Sequence, residues 1–285
     1  MSNLHIVTDS AASLPAQIVG DLPLTILPMW VQLPDRSLRE GVDIDSARLY
    51  DLQRQGVLLT TSQPSPGDFL EIFKPLVKQG KQVIAVLVTS KASGTCASAQ
   101  MAAEMLPEGA VTIFDSATTA MGTGFQALAA AEAVQAGKTR EEVLSLLEQV
   151  RASNRVYFAL PTLQHLRRSG RVSLAQALLG GLLNIKVVLT AEDGLVVVSD
   201  KARSWQGAVN KMEALVMAAA EAGPLALAVQ HTGVPDQAQE LYERLQGKVA
   251  ISRGFINELS ASLAVHGGPG MLGVAFCSAH LLEQN

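Results

Sequence analysis

Val83-Ile-Ala-Val-Leu-Val-Thr-Ser-Lys-Ala-Ser-Gly-Thr95, continued by Cys96-Ala-Ser-Ala-Gln-Met-Ala-Ala-Glu104, is the stretch that decides the fold. The apolar run from Val83 to Val88 predicts a strand buried on both faces, as in a parallel sheet. It gives way to a loop with four hydroxyls (Thr89, Ser90, Ser93 and Thr95) and one glycine, Gly94, before a helical pattern begins. Unpaired N–H groups at the start of that helix, together with the helix dipole, make such a junction an anion site. Taken alone, Ser93 or Thr95 reads first as a helix cap. Recurrence of the same pattern elsewhere changes that reading.

Three more apolar runs of the first half end in hydroxyls. Leu4 to Val7 leads to Thr8-Asp9-Ser10, Leu58-Leu59 to Thr60-Thr61-Ser62, and Val111 to Phe114 to Asp115-Ser116-Ala117-Thr118-Thr119. Helices are expected around them. Asp45 caps one that reaches Gln55, Ser65-Pro66-Gly67-Asp68 opens another that reaches Gln79, and Phe125 to Ala136 forms a third. Thr139-Arg140-Glu141-Glu142 is a capping box for a fourth, ending near Ser153. Alternating strands and helices imply a mostly parallel sheet, whose ligands sit beyond the carboxyl ends of the strands. Four polar turns would then meet at one crevice, although Ser, Thr and Asp also favour turns for local reasons.

Beyond Asn154 the pattern changes. Val156 to Leu160 reads as a strand, Thr162 to Arg168 as a short helix, Gly170-Arg171-Val172 as a turn, and Ser173 to Leu183 as an apolar helix interrupted by Gly180-Gly181. Ile185 to Thr190 and Leu195 to Ser199 flank Ala191-Glu-Asp-Gly194, a hairpin signal. A long helix from Ser204 to Glu221, a strand from Leu225 to Gln230 and a helix from Pro235 to Leu245 follow, with closing strands at Val249 to Asn257 and Met271 to Phe276. The expectation is two α/β domains, residues 1–154 and 155–285, the first built on a mostly parallel sheet.

The composition narrows the function classes. The chain has 285 residues, 48% hydrophobic and 17% charged, with net charge −4. That charge, without a basic stripe interleaved with aromatics, argues against nucleic acid. Cys96 and Cys277 have no zinc spacing and no secretory context, and no apolar run approaches the roughly 20 residues that span a bilayer. The N-terminus lacks the basic and apolar regions of a signal peptide, so the expected location is the cytoplasm, without stable membrane insertion.

Signatures of catalysis are sparse. His5, His165, His231, His266 and His280 show no metal-ligand spacing, no serine sits in a G-x-S-x-G elbow, and no phosphate-binding G-x-x-x-x-G-K-[ST] loop is present. No metal or cofactor is therefore expected. Gly122-Thr-Gly124-Phe-Gln-Ala127 matches G-x-G-x-x-A, but Asp115 to Met121 separates it from its strand. Asp9 and Asp115 both follow strands. They read either as paired acids of a small-molecule enzyme or, more simply, as caps that accept backbone N–H groups. His266-Gly-Gly-Pro-Gly270 packs three glycines and a proline into five residues, so the backbone there turns sharply and approaches its neighbours closely.

Thr8-Asp9-Ser10, Thr61-Ser-Gln-Pro-Ser-Pro66, Ser93-Gly-Thr95, Asp115-Ser116, Leu163 and Leu166 before Gly170-Arg171, Leu183-Asn-Ile-Lys186 and His266-x-Gly-Pro-Gly270 resemble, in order and spacing, the motifs of the DegV family. The resemblance covers essentially the whole chain. It implies two α/β domains with a ligand tunnel between them, holding one long-chain fatty acid such as palmitate. It also implies a lipid-binding protein, not an enzyme, which serves as the acyl-binding subunit of a fatty acid kinase and presents the carboxylate to a separate ATP-binding partner. By position, Thr61 and Ser93 resemble the hydroxyls that bind the carboxylate, His266 is a further donor, and Ser62, Gly94 and Thr95 line the same site. Arg167, Arg171 and Arg203, within a basic span of the second half, are the candidates for partner contact. Val187 stands where the family's motif carries proline, and Cys96 where an aromatic is common; both bear on tunnel shape more than on the headgroup site.

Overall fold

The computed structural model describes residues 3–170 and 185–283. Its first seven strands are β1 (Leu4–Asp9), β2 (Leu24–Leu27), β3 (Trp30–Gln32), β4 (Ser37–Arg39), β5 (Thr60–Ser62), β6 (Gln82–Leu87) and β7 (Val111–Asp115). Four of them form a wholly parallel sheet in the order β2-β1-β6-β7. The opening stretch supplies the inner strand β6, buried on both faces from Val83 onward. Val83, Ala85 and Leu87 pack with Phe69 and Phe73 of the Pro66–Lys78 helix and with Ala99 and Ala102 of the Thr95–Ala103 helix. Ile84 and Val86 point the other way, to Met121 and Phe125 of the Met121–Gln135 helix. This is the period-two alternation that a double-faced strand requires.

β5 departs from the sequence reading. It pairs with β3 in a separate antiparallel sheet, β4-β3-β5, with Val31 opposite Thr61. The run before it is too short to fill an inner strand, and Leu58 is 54% exposed. Three polar turns, not four, therefore leave the parallel sheet, after β1, β6 and β7.

The second half builds β8 (Arg155–Leu160), β9 (Lys186–Glu192), β10 (Leu195–Ala202), β11 (Leu225–His231), β12 (Ile251–Glu258) and β13 (Leu272–Ser278). They form one sheet in the order β10-β9-β8-β13-β11-β12, antiparallel except between β11 and β12. β9 and β10 meet at Asp193 and Gly194, both left-handed (φ 47° and 82°), as a two-residue hairpin turn requires. Helices Trp205–Ala220 and Pro235–Gln246 cover one face through Met212, Val216 and Leu241. The other face, through Val156, Ala226 and Ala275, packs on the same Met121–Gln135 helix that covers the parallel sheet, so one apolar core joins both sheets.

That shared helix accounts for the G-x-G-x-x-A match. The helix starts at Met121, four residues earlier than expected, and places both glycines inside it. A Cβ at Gly122 would lie 2.7 Å from Thr118 and Val156 side-chain atoms, and one at Gly124 would lie 2.7 Å from the Ala12 carbonyl oxygen. The glycines serve close packing, not a phosphate loop. A second difference lies at the His266 segment, read as a turn. His266 and Gly267 end a helix, Ala261–Gly267, whose N-terminus is capped by the Ser260 hydroxyl accepting from Leu263 N. Seven residues are too few for helical periodicity to show in sequence. The expected helix from Ser173 to Leu183, Gly180-Gly181 and Arg171 lie outside the described residues.

Candidate functional site

A cavity of about 180 Å³ lies where the turns of the parallel sheet meet the second sheet. Ala11, Val88, Ser93, Gly94 and Thr119 come from the loops after β1, β6 and β7. Phe158, Leu160, Leu189 and Val196, from β8, β9 and β10, form the facing wall, and Leu263, His266 and Gly267 of the Ala261–Gly267 helix close it. The space exceeds tenfold the roughly 15 Å³ that one water needs.

Polar groups of the lining are held in pairs. Thr61 Oγ1 and His266 Nε2 share a hydrogen bond of 2.7 Å that ties β5 to a helix 205 residues later in the chain. Ser93 Oγ and Thr95 Oγ1 share another of 2.7 Å. Gly94 occupies the N-cap position of the Thr95–Ala103 helix, and no side chain caps that helix. The Ser93 hydroxyl does accept a long bond of 3.4 Å from Thr95 N, the first N–H of the helix, so the cap reading of Ser93 holds in part. A Cβ at Gly94 would fall 2.8 Å from the Gln63 amide nitrogen, so a larger residue there would displace that side chain.

Of the residues singled out in the sequence, Thr61, Ser93, Gly94 and His266 line the cavity. Thr95 is buried one hydrogen bond behind Ser93. Ser62, the next residue on β5, accepts a hydrogen bond from Gln32 Nε2 at 2.8 Å and does not line the cavity. Strand alternation explains the split, because neighbours on β5 point to opposite faces. Arg167 is exposed in the last turn of the Gln164–Ser169 helix and Arg203 is exposed just after β10, while Arg171 lies outside the described residues.

The two aspartates hold loops. Asp9 Oδ1 accepts from Ala11 N at 3.0 Å and Oδ2 from Val88 N at 2.8 Å, which locks the β1 turn to the end of β6. Burial pushes its carboxyl up to about 7, against the pull of those two N–H bonds and with a further push from the nearby Glu40 charge. Asp115 accepts from Ser90 N and Ala117 N. Neither carboxylate lines the cavity. Two supports had no signal in the sequence. Buried Glu40 accepts from Ser10 Oγ (2.6 Å) and Ser262 N (3.2 Å), joining the β1 turn to the Ala261–Gly267 helix. Thr89 Oγ1 donates to the Gly194 carbonyl at 2.9 Å, fastening the β6 loop to the β9–β10 hairpin. Among the described residues no group of three or more His, Cys, Asp or Glu could hold a metal, and no helix is long and apolar enough to cross a membrane.

Compared with known proteins, residues 3–279 match the family described as "Uncharacterised protein, DegV family". The chain belongs to the DegV family. A DegV domain-containing protein of Streptomyces coelicolor is 36% identical over 278 residues, covering 97% of this chain and 99% of that one. A DegV family protein from Thermus thermophilus, described as fatty acid binding, superposes with a TM-score of 0.92 at 33% identity, over 98% of this chain and all of the other. DegV of Bacillus subtilis, described as a fatty acid binding protein, superposes with a TM-score of 0.88 at 30% identity over the same shares. This DegV-family chain thus shares its fold over nearly its whole length with relatives described as binding fatty acids.

Proposed function

We propose that this protein binds one long-chain fatty acid, with its carboxylate among Thr61, Ser93 and His266 and its tail against β8, β9 and β10. The observation that carries the reading is the mixed lining of one cavity: Thr61, Ser93 and His266, held in hydrogen-bonded pairs, share it with Leu160, Leu189, Val196 and Met271. Residues 1–154 supply the hydroxyls in this reading, and residues 155–285 supply the apolar wall and His266. Burying about 15 methylenes at about 0.8 kcal/mol each gives on the order of 12 kcal/mol gross, which offsets the partial desolvation of one hydrogen-bonded carboxylate. Hydroxyls and one imidazole, with no arginine among the cavity's described lining residues, hold the headgroup without trapping it.

The same reading extends to a separate ATP-dependent acyl kinase subunit that phosphorylates the presented carboxylate. Arg167, Arg171 and Arg203 are its proposed contacts, and charge reversal at Arg171 and Arg203 should lower acyl-phosphate formation while leaving acid binding intact. Titration of the protein with palmitate and oleate tests the binding itself. One saturable site is expected for each; no binding of either acid would remove the proposal.

A further inference from the structure

The cavity wall carries several hydroxyls, and nearly all are committed. Thr89 donates to the Gly194 carbonyl and Thr190 to that of Val156, at 2.9 and 2.7 Å. Thr61 is paired with His266, Ser93 with Thr95, and Ser262 with Ser260. Thr119 is the exception. It lines the cavity, and its hydroxyl oxygen is closed off from solvent with no partner among the described residues. An orphaned buried hydroxyl forfeits the bonds it made to water, so natural cores rarely keep one without a use.

Thr119 sits in the loop after β7, where Thr89 N donates to the neighbouring Thr118 carbonyl at 2.9 Å. One helical turn on, Gly122 packs against Val156 of β8. The side chain thus belongs to the seam between the parallel sheet's loops and the apolar wall. None of the headgroup hydrogen bonds includes it. A threonine bears its methyl and hydroxyl on one carbon, and a single staggered step about χ1 carries the hydroxyl to the place of the methyl and the methyl to that of the hydrogen. Turning Thr89 or Thr190 would break a bond to the backbone, whereas turning Thr119 breaks none.

We infer that Thr119 is a specificity-determining residue of the tail site, which hydrogen-bonds a hydroxyl carried along the acyl chain and so favours monohydroxylated long-chain acids over plain saturated ones. This rests on the fatty-acid reading above. A plain chain leaves the Thr119 hydroxyl as unpaired as it is in the free protein, while a hydroxylated chain supplies the missing partner.

The test is titration of the wild type, Thr119→Val and Thr119→Ser with stearate and with a series of monohydroxylated octadecanoic acids whose hydroxyl is moved stepwise along the chain. The wild type should bind at least one of the series on the order of tenfold tighter than stearate. Thr119→Val, which keeps the shape, should lose that preference and bind stearate about as tightly as the wild type. Thr119→Ser should keep the preference, and Thr119→Ala should match valine should the valine protein fold poorly. A wild type with no preference for any hydroxylated acid overturns the inference, as does a valine variant with an unchanged profile. Either result with stearate still bound leaves the fatty-acid reading standing; no binding of any acid by the wild type overturns both.

Discussion

The two sheets meet the cavity in opposite ways. The parallel sheet is covered by helices on both faces, so it can offer a ligand only the loops at its strand ends, and those loops carry hydroxyls and backbone N–H groups. The mixed sheet turns a face toward the cavity, and β8, β9 and β10 present Phe158, Leu189 and Val196 there. Strand ends handle charge and a sheet face handles hydrocarbon. An amphipathic ligand fits this division of labour because each of its halves meets the element suited to it.

Placing charge on the apolar side should break the division most severely. Val196 is only partly buried on an edge strand, so Val196→Asp should fold, yet acid binding should fall by on the order of a thousandfold, since the chain would have to bury a carboxylate. Calorimetric titration with palmitate would read this directly. Removing the hydroxyls attacks the other side. Thr61→Val/Ser93→Ala should weaken binding by about two orders of magnitude, at about 1.5–3 kcal/mol per bond to a charged group, with cooperative thermal unfolding retained.

Asp9 separates loop support from ligand contact. Its folded-state proton is held more tightly than in the unfolded chain, since the carboxyl is raised from 3.8 to about 7. The stabilisation is therefore complete below about pH 4 and is lost as pH rises through about 7. Denaturation midpoints of the wild type should fall across that window, by an amount worth on the order of a few kcal/mol, and Asp9→Asn should flatten the slope. The smallest effect is expected at Ser62, which faces Gln32: Ser62→Ala should change acid affinity by less than about twofold, the signature of a side chain outside the site.

What was legible in the sequence was local. β6 could be read because a run apolar on both faces has few alternatives, and the Ser65/Asp68 and Thr139/Glu142 capping boxes because a cap is written within four residues. What was missed depends on partners far apart in the chain. β5 looks like the end of one more parallel strand until its pairing with β3 is known, and that pairing separates Thr61 from Ser62. The Ala261–Gly267 helix is too short to announce itself. Glu40, an isolated acid in the sequence, matters only because Ser262 N, 222 residues away, donates to it.

Native mass spectrometry of the protein purified from a heterologous host bears most directly on the central claim. The account predicts one long-chain acid per chain, lost in Thr61→Val/Ser93→Ala. A protein that emerges empty, and stays empty with palmitate or oleate added, would contradict it.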